Sequence, residues 1–156
     1  MAEQAVVDLS DLLRAAFGAG GQHTLADELA LVQRYLALEH LRLDDRLQLH
    51  LSQPDVLPVV QMPVLSLQPL VENAIKHGIA TLPGGGCLDM GISLSPSRID
   101  IDIRNPLPAH TRADRSHQEG QYNALMRLRS HFGDRLVSEM GREDGHYRVH
   151  LGIPLE

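Results

Sequence analysis

The chain has a single cysteine, Cys87, no tryptophan, three tyrosines and two phenylalanines. One thiol excludes a disulfide framework and a cysteine zinc site, and fits a reducing compartment. Scarce aromatics remove the usual stacking platform for single-stranded nucleic acid. No stretch approaches the roughly 20 consecutive apolar residues that span a bilayer, and residues 1–19 lack the charged start and apolar middle of a signal peptide. Clustered basic residues are also missing. The formal net charge is −6, with acids and bases interspersed, which argues against nucleic acid or an anionic membrane surface as the main partner.

What is present suits one domain. A chain of 156 residues, 43% of them hydrophobic, can bury one real core. Its most informative stretch is QPLVENAIKHG, residues 68–78. Leu70, Val71, Ala74 and Ile75 repeat at helical spacing, and Glu72, Asn73, Lys76 and His77 repeat the same pattern two positions on. Two positions are about half a turn, so an apolar face opposes a face carrying a carboxylate, an amide, an ammonium and an imidazole. An ordinary amphipathic surface helix has the same outline. Two details set this one apart: Asn is a poor residue inside a helix, and Gly78 stops the helix directly after the polar cluster.

Elsewhere, residues 5–17 carry Val6, Leu9, Leu12, Leu13 and Ala16 at helical spacing before Gly18, Gly20 and Gly21. Thr24 and Asp27 form a capping-box start to a long apolar-faced helix ending near Leu43. Residues 46–51 alternate as a strand, and the proline-rich residues 54–63 connect to the helix at 68. Residues 81–86 form a loop with three glycines, and no Lys-Ser or Lys-Thr follows to make a Walker motif. Met90, Ile92 and Leu94, then Ile99, Ile101 and Ile103, alternate about a turn at residues 95–98 and form a hairpin. Residues 109–120 are polar and expected to be irregular and mobile. A helix follows at residues 123–132. Two last strands, 136–140 and 147–153, pair across a turn at 141–145. Helices, strand, helix, hairpin, helix, hairpin make an α+β fold: a two-layer sandwich of about three helices on a mixed, mostly antiparallel sheet.

QPLVENAIKHG resembles the N-box of sensor histidine kinases of the LytS/YehU/AlgZ type, whose ATP-binding domain belongs to the superfamily shared with gyrase and mismatch-repair ATPases. DELALVQRYLALEHLRL is similar to that family's E-L-x-x-x-x-x-Y-L-x-x-E-x-x-R helix, matched by Glu28, Leu29, Tyr35, Leu36, Glu39 and Arg42. The resemblance implies that residues 1–20 are the end of the second dimerisation helix and a linker, and that residues 21–156 are the ATP-binding catalytic domain. The family's His-Phe-x-x-Asn acceptor motif does not occur in this sequence, so the chain by itself is not expected to label itself from ATP.

The same resemblance assigns roles. Asn73 is the protein ligand to Mg²⁺, a hard cation that takes few protein oxygens. Glu72 is, by the same resemblance, the base or positioning group for the acceptor imidazole; from their place one turn onward on the same face, Lys76 and His77, with Gly78 beside them, are candidates to meet phosphate oxygens, a solvated surface lysine being the alternative for Lys76. Asn105 stands where the family has the adenine-reading Asp, and its amide oxygen accepts the same hydrogen bond; both glycines of that box are missing. In the second glycine box, Gly120 and Asn123 match while Gln118 replaces the first glycine. Arg127, Leu128, Phe132 and Gly133 continue the family pattern. The implied cofactors are ATP and Mg²⁺. The implied partners are the phosphoacceptor helix of the same kinase, a second copy in a homodimer, and a response regulator; the implied location is the cytoplasmic side of a membrane-anchored bacterial sensor. Two other readings remain open on the eroded glycine boxes: a degenerate domain acting through protein contacts, and an ATP-hydrolysing switch. His146 and His150 lie at i, i+4 on one strand without a third ligand, so no zinc site is expected, and His40 reads as a surface histidine.

Overall fold

The computed structural model describes residues 23–108 and 115–155. Helix α1 (Leu25–Leu43) leads through a short 3-10 turn into strand β1 (Leu47–Ser52), and a long connection reaches helix α2 (Gln68–Lys76). Strands β2 (Gly86–Leu94) and β3 (Arg98–Pro106) follow, then helix α3 (Arg115–Phe132) and strands β4 (Val137–Glu143) and β5 (His146–Pro154). The sheet order is β1-β2-β3-β5-β4, with β1 and β2 parallel and every other neighbour antiparallel. Three helices on a mixed, mostly antiparallel five-stranded sheet is the expected architecture.

Local chemistry accounts for most of the elements. The Thr24 hydroxyl accepts from the Asp27 amide at 3.3 Å, and the Asp27 carboxylate accepts from the Thr24 amide at 3.0 Å, a reciprocal cap that starts α1 where the sequence places it. Leu25, Leu29, Val32 and Leu36 then repeat along the buried side of α1. Along the sheet, Leu88, Met90 and Ile92, Ile99, Ile101 and Ile103, and Val149, Leu151 and Ile153 are buried under the helices, as the period of two requires. The parallel β1–β2 pair needs a long crossover, and α2 lies in that crossover.

Three boundaries differ from expectation. Strand β2 begins at Gly86, not Met90, because Gly86 pairs with Leu47 of β1. The last turn is only Asp144–Gly145, both with positive φ (49° and 77°), the two-residue geometry that Asp-Gly favours; the strands therefore run further towards it than the five-residue turn allowed. Helix α3 begins at Arg115, so the stretch expected to be irregular through Gly120 is helical from residue 115 onward. The apolar signal is confined to the part of α3 that packs, where Gln121, Ala124 and Leu128 are buried. A polar first turn is legible only from tertiary context, since Gly within a helix costs only about 1 kcal/mol. The expected helix at residues 5–17, and the part of the irregular stretch at 109–114, lie outside the described residues.

Candidate functional site

Helix α2 is nine residues long, with a proline in its first turn and no capping side chain of its own. Its two faces are as the sequence arranges them, with one refinement. Leu70, Val71, Ala74 and Ile75 are buried, Glu72 and His77 are half-buried and Lys76 is exposed, while Asn73 is itself buried, only 7% exposed. Asn73 thus sits at the seam between the faces. Lys76, the sequence's only lysine, is held by Glu72: Nζ lies 2.6 Å from Oε1 one turn earlier. Both partners are substantially solvent-exposed, so the pair is worth little in stability and little opposes its opening.

The helix closes at His77, whose amide donates to the Asn73 carbonyl at 3.0 Å. Gly78 follows with a negative φ, −115°, so a left-handed backbone is not what calls for glycine. It is glycine for space. A Cβ there would stand 2.2 Å from the Asn105 side-chain nitrogen and 2.5 Å from the Ala74 carbonyl oxygen. Asn105, at the end of β3, is 2% exposed, and its Nδ2 donates to the Pro106 carbonyl at 3.0 Å. The end of α2 and the end of β3 are therefore pressed together, and Asn73, His77, Gly78 and Asn105 share one neighbourhood.

Gly120 belongs to the same end of the sheet by one link. Its neighbour Gln121 accepts from the Tyr147 hydroxyl at 2.9 Å, and Tyr147 is the cross-strand partner of Asn105. Burial pushes the Tyr147 phenol up, only partly countered by that hydrogen bond, so the hydroxyl stays a donor at neutral pH. Gln121 Nε2 is then left buried without a partner. Gly120 itself is exposed within α3, and a Cβ on it would meet nothing within 4 Å. Close packing is no reason for glycine here.

Sequence reasoning missed three contributors. Gln121 carried no motif signal. Tyr35 appeared only as a pattern residue, yet its phenol is buried without a partner and pushed well above its usual range by burial, with the charges of Glu39 and Glu72 adding to the effect. Glu28, another pattern residue, is fully buried against the start of α2. The histidines set aside from the site stay apart from it: His40 is exposed on α1, His150 Nε2 is 2.8 Å from Asp100, and His146 Nδ1 is 3.1 Å from the Asp144 carbonyl oxygen. Among the described residues no three of His, Cys, Asp and Glu form a cluster able to hold a metal ion.

The donor set at this end suits a magnesium nucleotide: an amide oxygen for a hard cation, a single lysine on a weak tether, an amide at the strand end, and an unpartnered Gln121 nitrogen. A family model described as histidine kinase matches residues 1–47. Sensor histidine kinase BtsS of Escherichia coli K12 is 33% identical over 132 residues, covering 84% of this chain and 24% of BtsS. The chain belongs to the histidine kinase family. This kinase chain is also 33% identical over 105 residues to sensor protein kinase HptS of Staphylococcus aureus USA300, covering 66% of the chain and 19% of HptS. It thus spans about a quarter or less of the length of these relatives. Among solved structures, the nucleotide-free catalytic domain of histidine kinase ThkA superposes with a TM-score of 0.63 at 8% identity, over 85% of the kinase chain and 94% of ThkA's domain. The mycobacterial sensor histidine kinase MprB gives 0.61 at 13% identity, over 85% and 95%. Such low identities speak to fold alone. That fold is the one of histidine kinase catalytic domains. No helix among the described residues is long and apolar enough to cross a membrane.

Proposed function

We propose that this domain binds Mg-ATP at the end of α2 and delivers its γ-phosphoryl group to a histidine on the dimerisation helix of its own kinase, for onward transfer to an aspartate of a response regulator. The observation that carries the reading is the close approach of Gly78, just past the end of the helix that bears Asn73, to Asn105 at the end of β3. Asn73 offers its amide oxygen to Mg²⁺, which when bound neutralises phosphate oxygens and holds them in line for transfer. Lys76 leaves Glu72 to meet phosphate oxygens, an exchange of one exposed charge partner for another. His77 and Gly78 border the phosphates. Asn105, its Nδ2 engaged with Pro106, has an amide oxygen to accept from the adenine amino group.

Glu72, released from Lys76, accepts the hydrogen bond of the acceptor imidazole N–H, leaving the other ring nitrogen's lone pair free to attack phosphorus. The P–N bond forms as the bond to the ADP oxygen breaks. Gly120 lies five residues into α3, so its backbone reaches the phosphates only if the first turns of α3 unwind. Residues 1–20 are read as the end of the second dimerisation helix and linker, and the whole kinase as a membrane-anchored homodimer with this domain on the cytoplasmic side.

Calorimetric titration with Mg-ATP tests the site, comparing the native chain with Asn73→Ala. The native chain is expected to bind, and the variant to lose at least tenfold in affinity. No binding by the native chain, or equal binding by the variant, would end the assignment. A second reading is favoured by the helical state of residues 115–120 together with the missing glycines: a domain that keeps the fold and works through protein contacts, for which the native chain gives no heat with Mg-ATP.

A further inference from the structure

Helix α2 starts without a cap from its own chain neighbourhood, because the residue before it is Leu67. The missing acceptor comes from α1. Glu28 is 0% exposed; its Oε2 accepts from the amides of Leu67 at 2.9 Å and Gln68 at 3.1 Å, and its Oε1 accepts from the amide of Leu65 at 3.0 Å. A carboxylate at a helix amino end satisfies orphan amides and meets the positive end of the helix dipole. Leu65 is held at φ +58°, a conformation that a branched aliphatic residue keeps only when its surroundings enforce it. They do so from two sides, since Arg127 of α3 donates to the Leu65 carbonyl at 2.7 Å.

The fourth contact of Glu28 faces the other way along the chain. His23 Nε2 lies 2.8 Å from Oε1, and both side chains are buried. His23 is where the chain enters α1, and its carbonyl accepts from the Met62 amide at 2.8 Å while the Leu25 amide donates to the Val60 carbonyl at 2.8 Å. The entering strand is thus zipped to the segment that leads into α2, and Glu28 joins the two. Asn73 follows Gln68 by about one and a half turns. Displacement of so short a helix at its first turn reaches Asn73.

We propose that Glu28 is the positioning residue of the nucleotide site, and that its contact with His23 is the joint through which the chain entering the domain sets the placement of α2. The proposal rests on the Mg-ATP reading for its functional consequence, and on the hydrogen bonds around Glu28 for its structural one. Glu28→Gln leaves an oxygen for Leu67 and Gln68 but presents an N–H₂ group to the Leu65 amide, where two donors then face each other.

The test combines hydrogen exchange with calorimetry on the whole chain at one pH. In Glu28→Gln, amides of residues 65–76 are expected to exchange at least tenfold faster while those of β2, β3 and β5 are unchanged, and the ratio of ATP affinities with and without Mg²⁺ is expected to fall several-fold. A role in stability alone would not move that ratio in protein that remains folded. His23→Ala, which removes one contact and leaves the three amide bonds, is expected to show the same regional pattern at smaller size, and it decides the matter if Glu28→Gln fails to fold. Exchange that speeds up evenly over the sheet, or an unchanged affinity ratio in a chain that binds Mg-ATP, overturns the proposal. If the native chain does not bind Mg-ATP, the functional reading falls, and regional exchange alone upholds or overturns the joint.

Discussion

A methyl group on Gly78 has nowhere to go: Asn105 blocks one side at 2.2 Å and the Ala74 carbonyl the other at 2.5 Å. Gly78→Ala must therefore part the end of α2 from the end of β3. We expect it to destabilise the domain by about 1–3 kcal/mol, the usual range for overpacking, seen as a lower midpoint in urea unfolding with unchanged m-value. A midpoint equal to that of the native chain would show that the two ends are not in contact. The sequence marked Gly78 as a helix stop, and stopping the helix is the lesser part of its role. Its φ is negative; what forbids a side chain here is a residue far along the chain. Asn73 carries a similar lesson. A periodicity argument puts it on the polar face, but its burial at the seam depends on what α2 packs against.

At the scale of elements, α3 departs most from what the sequence suggests. Its first turns are polar and its sixth residue is glycine, two features that read as loop when nothing apolar recurs. Gly120→Ala separates the helical role of this position from a phosphate-wrapping one. Alanine at an exposed helix position with open space around it should stabilise the domain by up to about 1 kcal/mol, measured by thermal unfolding. If the first turns of α3 must unwind to bring the Gly120 backbone to the phosphates, the same variant should bind Mg-ATP several-fold more weakly. A raised Tm with unaltered affinity would remove Gly120 from the site. The elements whose signals are local behave differently. Thr24 and Asp27 cap α1 by a reciprocal bond four residues wide, legible from spacing and residue type alone; the turn from β4 to β5 is legible as a turn within residues 141–145, and strand pairing narrows it to Asp144–Gly145.

For the molecule as a whole, the sheet has one face under the helices and one face lined with paired polar side chains: His50 with Asp89, Asp100 with Arg98 and His150, and Asp102 with Arg148. Burial alone would push the Asp100 carboxyl up, but hydrogen bonds and charge from His150 and Arg98 outweigh it and hold the group below the ordinary carboxylate range. A carboxyl whose pKa is lower folded than unfolded contributes stability above its unfolded pKa, near 3.9, and loses it as pH falls through the folded value. The stability difference between the native chain and Asp100→Asn is therefore expected to shrink as pH falls from about 5 to below about 4, read from urea midpoints across that range. A difference that persists unchanged at pH 2 would mean that charge on Asp100 is not its source. Composition, periodicity and local caps by themselves determined the α+β class, the helix and strand order, and the two faces of α2, because each depends on residues within a few turns of one another. Tertiary structure alone decided the parallel β1–β2 edge, the helical start of α3, the close approach of Gly78 to Asn105, and the cap that Glu28 supplies to a helix 40 residues away. Those contacts join positions distant in sequence, and a buried carboxylate or a missing Cβ acquires its meaning only from the atoms that fold against it.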